Sequence, residues 1–122
     1  MAATILEQEK KSFAQPDDKR SFEKGQMEVV TVGDMTFGRA TFQPGWRWST
    51  CVKPMAKTDL CEVSHLVCQL SGRMRVKMQD GREFEIGPGE VATIPPGHDA
   101  WVVGNEPVVA FDIAGAEEYA KR

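Results

Sequence analysis

Nine short β-type runs, each closed by turn-forming residues, fill the chain from Met27 to Ile113. They are MEVVTV (27–32), MTFGRATF (35–42), WRWSTC (46–51), CEVSHLVCQL (61–70), RMRVKM (73–78), REFEI (82–86), EVATI (90–94), AWVV (100–103) and VVAFDI (108–113). Between them stand Gly33-Asp34, Pro44-Gly45, Ser71-Gly72, Asp80-Gly81, Pro88-Gly89, Pro95-Pro96-Gly97 and Asn105-Glu106-Pro107. Runs this short leave no room for crossover helices, so parallel βαβ units are excluded. The remaining solution is an all-β fold, an antiparallel barrel or jelly roll built from two sheets.

One hairpin can be read to the residue. A two-residue turn at Asp80-Gly81 would mix apolar and charged side chains on both faces. A three-residue loop, Gln79-Asp80-Gly81 with Gly81 left-handed, sets Val76 opposite Phe84 and Met74 opposite Ile86. It also sets Lys77 opposite Glu83 and Arg75 opposite Glu85 on the other face. Register follows face consistency, so the longer loop is expected.

The flanks read differently. Thr4 followed by Glu7 has capping-box spacing and predicts a short helix over 4–13. AQPDDKRSFEKGQ (14–26) reads as a polar surface linker, and AGAEEYAKR (114–122) as one closing helical turn. The expected organisation is therefore a helix and arm over 1–26, a barrel over 27–115 and a tail over 116–122.

At 122 residues the chain makes one domain. A net charge of −3 leaves no basic field for nucleic acid, and no apolar run approaches the roughly 20 residues of a membrane span. The start of the chain, MAATILEQEKKSF, becomes charged too early for an export signal, which points to the cytoplasm. Cys51, Cys61 and Cys68 are three, lack CxxC spacing and read as free thiols, one of them a candidate ligand.

Two frames carry a family resemblance. Gly89-x5-Pro95-x-Gly97 resembles the second motif of the cupins, which continues with two residues, a histidine, three residues and an asparagine. Gly45-x5-Cys51-x-Lys53 and His65-x6-Gly72 resemble the first, whose pattern is Gly-x5-His-x-His followed by Glu-x6-Gly. The likeness covers about residues 35–113 and implies the cupin jelly roll. It places the four metal slots at Cys51, Lys53, His65 and Ala100, so the family's three histidines and glutamate are replaced at every slot.

Strand alternation orders the candidates. With Cys51 inward, Arg47, Ser49 and Lys53 follow it, while Trp46 and Trp48 face out. With His65 inward, Val67 and Gln69 follow and Cys68 faces out; Cys61 shares the parity of His65 and stands in reserve. His98 shares the parity of Ala100, on condition that its strand starts early enough. The expected metal ligands are therefore Cys51, His65 and His98, and the expected ligand-pocket residues Arg47, Lys53, Gln69 and Ala100. Thiolate and imidazole suit zinc, copper or iron.

Two functions are compatible with these residues. One is a metal-dependent cupin acting on a small organic molecule, with the oxygenase, isomerase or decarboxylase chemistry the resemblance implies. The other is a ligand-binding or regulatory cupin that has lost its metal and binds a small molecule or a partner domain without turnover. A third, nucleophilic catalysis by Cys51 with His65 as base, requires the two within hydrogen-bond reach. The resemblance also implies a homodimer, paired through a sheet face or an added N-terminal strand, with the tryptophans and residues 27–32 as apolar material.

Overall fold

The computed structural model describes residues 7–113. Its nine strands are β1 (Asp18–Phe22), β2 (Gly25–Val32), β3 (Met35–Phe42), β4 (His65–Ser71), β5 (Arg73–Met78), β6 (Glu83–Ile86), β7 (Val91–Ile94), β8 (His98–Val103) and β9 (Val108–Asp112). Two single-turn helices, α1 (Trp48–Cys51) and α2 (Lys53–Ala56), interrupt them. Every strand pair is antiparallel. The strands form a six-stranded sheet, β1-β2-β3-β9-β4-β7, and a three-stranded sheet, β6-β5-β8. The barrel alternative gives way to two open sheets. Among the described residues no helix is long and apolar enough to cross a membrane.

The sheets bury alternate side chains against each other, as period-two apolar strands must. The large sheet supplies Met27, Val29, Ala40, Phe42, Val108 and Ala110; the small one supplies Met74, Val76, Ile86, Ala100 and Val102. The β5–β6 hairpin has the expected register, Met74↔Ile86, Arg75↔Glu85, Val76↔Phe84 and Lys77↔Glu83, with Gly81 at φ 91°. Gly72, the glycine that ends the first frame, is required twice over. Its φ is +73°, and a Cβ there would lie 2.5 Å from the Pro107 carbonyl oxygen.

Four local expectations are corrected. The described part of the expected 4–13 helix, residues 7–13, is not helical; residues 4–6 and the tail 114–122 lie outside the described residues. Instead Phe13 lies in a turn closed by the Gln15 amide donating to the Ser12 carbonyl. It stacks on Phe111 of β9 at 5.7 Å with the Arg39 guanidinium 5.1 Å from its ring, a tertiary contact that fixes the segment on the sheet. Residues 14–26 are not a linker, because β1 pairs along β2 from Asp18↔Val29 to Phe22↔Gly25. The run 46–51 is a strand only in its sequence alternation. After a bridge between Arg47 and Trp101, the Thr50 and Cys51 amides both donate to the Arg47 carbonyl, which turns the chain into α1. Trp46 and Trp48 are consequently buried, each 2% exposed, and are not available as a dimer face. Residues 27–32 lie inside the sheet between β1 and β3, not at an edge.

Candidate metal centre

The cavity between the sheets opens about 50 Å³ to the centres of water molecules, room for about four waters at roughly 10–15 Å³ each. Eleven of the fifteen described residues that line it are apolar, among them Met27, Phe42, Trp46, Trp48, Met74 and Ala100. The other four are His65, Gln69, His98 and Asp112. All four are buried, so each needs a polar partner.

Adjacent strands provide the first partnership. Val67 of β4 lies opposite Asp112 of β9, which leaves His65 diagonal to Asp112 on the same face. There the His65 Nδ1–H donates to Asp112 Oδ2 at 2.6 Å. Since a carboxylate accepts, the neutral imidazole is assigned the Nδ1–H tautomer, which presents its Nε2 lone pair. The Nε2 atom lies 3.6 Å from Cys61 Sγ.

A backbone bridge brings in Cys61. Its amide donates to the His98 carbonyl at 2.8 Å, and the Gly97 amide donates back to the Cys61 carbonyl at 2.8 Å. Gly97, at φ +89°, turns the chain out of Pro95-Pro96 and into β8, whose first residue is His98. The His98 Nδ1–H donates to the Pro95 carbonyl at 2.8 Å, so this imidazole too presents Nε2. The two rings meet edge to face with centroids 5.2 Å apart.

Cys61, His65 and His98 thus converge, with one donor atom from each inside a mutual 4.8 Å. Burial holds the His98 imidazole down at about 4 from an ordinary 6.5, and neighbouring His65 adds to the depression. Burial likewise pushes the Cys61 thiol up to about 11 from 9.0, with the Glu62 and Asp112 charges adding to it. At neutral pH, without a cation between them, the pair is a thiol beside an imidazole lone pair.

The donor set fits a transition metal on three grounds. A tetrahedral ion with sulfur at about 2.3 Å and nitrogen at about 2.0–2.1 Å spaces those two donors by about 3.6 Å, which is the Cys61–His65 separation. Both imidazoles are oriented by a hydrogen bond from the far ring nitrogen, one to a carboxylate and one to a carbonyl, as metal-bound histidines characteristically are. Three protein donors leave one position of a tetrahedron free.

The remaining expected site residues divide. Gln69 and Ala100 line the cavity, but the Gln69 amide is committed, donating to the Gly72 and Ile86 carbonyls at 2.7 and 2.8 Å. Arg47 and Lys53 do not line it. Arg47 pairs with Asp99 at 3.2 Å and lies over the Trp101 ring, while Lys53 faces exposed Asp59 at 3.5 Å. Cys51 is buried on α1 with Sγ 3.6 Å from the Thr50 hydroxyl, outside the group of three donors. The helical turn explains both departures, because it breaks the two-residue period that put Cys51, Arg47 and Lys53 on one inward face. Cys61, held in reserve on parity, stands where Cys51 was expected. Asp112 was passed over, although a carboxylate on the inward face of VVAFDI, in step with Val108 and Ala110, was the signal for it.

No family model and no curated protein matches the sequence. Solved structures do. A Rhizobium leguminosarum protein of unknown function is 23% identical, with 88% of this chain and 97% of that one covered at a TM-score of 0.61. A cupin-like protein of Thermotoga maritima is 14% identical over 78% of this chain and 71% of its own, TM-score 0.54. The oxalate decarboxylase of Bacillus subtilis, a protein with Mn(II) centres, is 21% identical over 80% of this chain, TM-score 0.57. The fold is that of the cupins. This cupin fold spans only 27% of the length of that decarboxylase chain. In this chain Ala100 fills the slot where the cupin frame has a histidine, and His98 lies two residues before it.

Proposed function

We propose that this chain is a metal-binding cupin whose Cys61, His65 and His98 hold a divalent transition metal beside a cavity for a small organic molecule. The observation that carries the reading is the convergence of three buried donors, with both imidazoles already oriented from behind by Asp112 and Pro95. One thiolate and two imidazoles are soft to borderline donors, which favours zinc, copper or iron(II) over manganese. When bound, such an ion acts as a Lewis acid toward a donor atom of the molecule in the cavity. The chain's residues do the rest. Asp112 fixes the tautomer and rotation of His65, the Pro95 carbonyl does the same for His98, and the apolar lining from Met27 to Ala110 excludes bulk water. Among the cupin chemistries, those that work on a polarised carbonyl or enol fit this arrangement best.

The test is metal analysis of untagged protein purified without added metal. About one equivalent of metal is expected, lost in Cys61→Ser, His65→Ala and His98→Ala but retained in Cys51→Ser and Cys68→Ser. Metal that survives His98→Ala, or that follows Cys51, overturns the assignment.

A second reading, ligand binding without turnover, has its own support. Of the polar side chains lining the cavity, Gln69 and Asp112 are tied up in the fold and both histidines are donors to the site, which among the described residues leaves no separate acid or base facing the cavity. Stoichiometric metal with no consumption of any small carbonyl or enol substrate favours this reading.

A further inference from the structure

The charge balance of the site restricts what enters the cavity. Among the described residues no lysine or arginine lines it, and Arg47 and Lys53, the cations near it in sequence, are paired with Asp99 and Asp59. The two positive charges of a divalent ion are matched by the Cys61 thiolate and by the Asp112 carboxylate, which sits behind His65 at 2.6 Å. With the Glu62 charge also acting on Cys61, the assembled centre carries no net positive charge. An anion entering a mostly apolar cavity beside such a centre loses its hydration and gains no net counter-charge, which disfavours it strongly.

We infer that the cavity selects a small uncharged molecule with one oxygen donor and an apolar remainder, and rejects carboxylate anions. The inference rests on the metal reading above and adds the ligand class. It separates this chain from any reaction on oxalate, a small dianion with no apolar part. Asp112 is the residue that sets the preference, by cancelling the charge an anion would otherwise seek.

The experiment uses the Co(II)-loaded protein, whose thiolate-to-cobalt charge-transfer absorption reports on the centre without any turnover. Acetone and acetate, which have the same number of non-hydrogen atoms and differ in charge, are titrated at constant ionic strength and neutral pH. Acetone is expected to perturb the spectrum with an apparent Kd at least tenfold below that of acetate. In Asp112→Asn, which keeps an oxygen acceptor for His65 and removes the charge, the ratio shifts toward acetate by at least tenfold. Acetate binding as tightly as acetone in the unaltered protein overturns the inference, as does a ratio unmoved by Asp112→Asn. A spectrum indifferent to both probes also overturns it. Absence of the charge-transfer absorption overturns the metal reading itself, and this inference with it.

Discussion

Acidifying the metal-free protein has a calculable cost. His98 is 3% exposed and its imidazole titrates at about 4 in the folded chain against 6.5 when free. Between those values the unfolded chain binds a proton that the folded chain refuses, so stability rises with pH through that window and falls as pH drops from 6.5 to 4. A separation of about 2.5 pH units at about 1.4 kcal/mol each makes the loss on the order of 3 kcal/mol, a sizeable part of the 5–15 kcal/mol of a typical domain. Cys61 produces the mirror image. Its thiol titrates at about 11 in the folded chain against 9.0, so the folded state holds a proton that the unfolded state has released, and stability falls again from pH 9 to 11. Metal-free protein is thus expected to be most stable between about pH 7 and 9. Urea unfolding from pH 4 to 8, on the protein and on His98→Gln, isolates the acid arm, since glutamine takes up no proton. The protein should lose roughly 3 kcal/mol more than the variant between pH 7 and 4. Parallel curves, within about 1 kcal/mol of each other, would refute a buried neutral His98.

Other outcomes follow from the same geometry. Asp112→Asn should weaken metal affinity by about 10- to 100-fold in a competition titration against a chelator, the usual effect of removing a carboxylate behind a ligating histidine; unchanged affinity contradicts its orienting role. Gly72→Ala places a Cβ against the Pro107 carbonyl at a φ of +73° and should cost about 2–4 kcal/mol in thermal unfolding, with no gain in any condition. A homodimer, expected from the sequence through the tryptophans and residues 27–32, is predicted instead to pair through edge strand β7, with 66%-exposed Val91 and 47%-exposed Leu70 as its apolar material. Light scattering should then report twice 13.5 kDa, and Val91→Lys should halve it; a single-chain mass at every concentration rejects the dimer.

The parts of the fold legible in the sequence were those where two independent constraints agreed. In the 73–86 hairpin, apolar matching on one face and charge pairing on the other demand the same register, and that register is present. The run WRWSTC carried one constraint only, an alternation that a strand shares by chance with a bridge followed by a helical turn. Everything hung on that parity went with it: Cys51 as a ligand, since it is buried but outside the donor group, the inward Arg47 and Lys53, and the outward tryptophans. His65 and His98 were legible because Gly72 and Gly97 fix their distances along regular strands. Cys61 was not, because it sits on an isolated bridge to His98, and nothing local in PMAKTDLCEVS announces a pairing with residues almost forty positions away.

That bridge has a consequence for affinity. Two of the three donors ride on regular strands, but Cys61 ends a stretch, residues 57–60, that is largely exposed and outside any helix or strand. Its backbone tie to the rest is the three hydrogen bonds exchanged with Gly97 and His98, beside the burial of its side chain. Such a tether opens more readily than the sheets do, and an open tether removes the sulfur from the set. The protein then behaves as a three-toothed chelator only for the fraction of time the tether is shut, and a tether shut one-tenth of the time raises the apparent Kd about tenfold. Substitutions at positions 57–60 can therefore set how tightly the ion is held while touching neither the ion nor any atom that binds it.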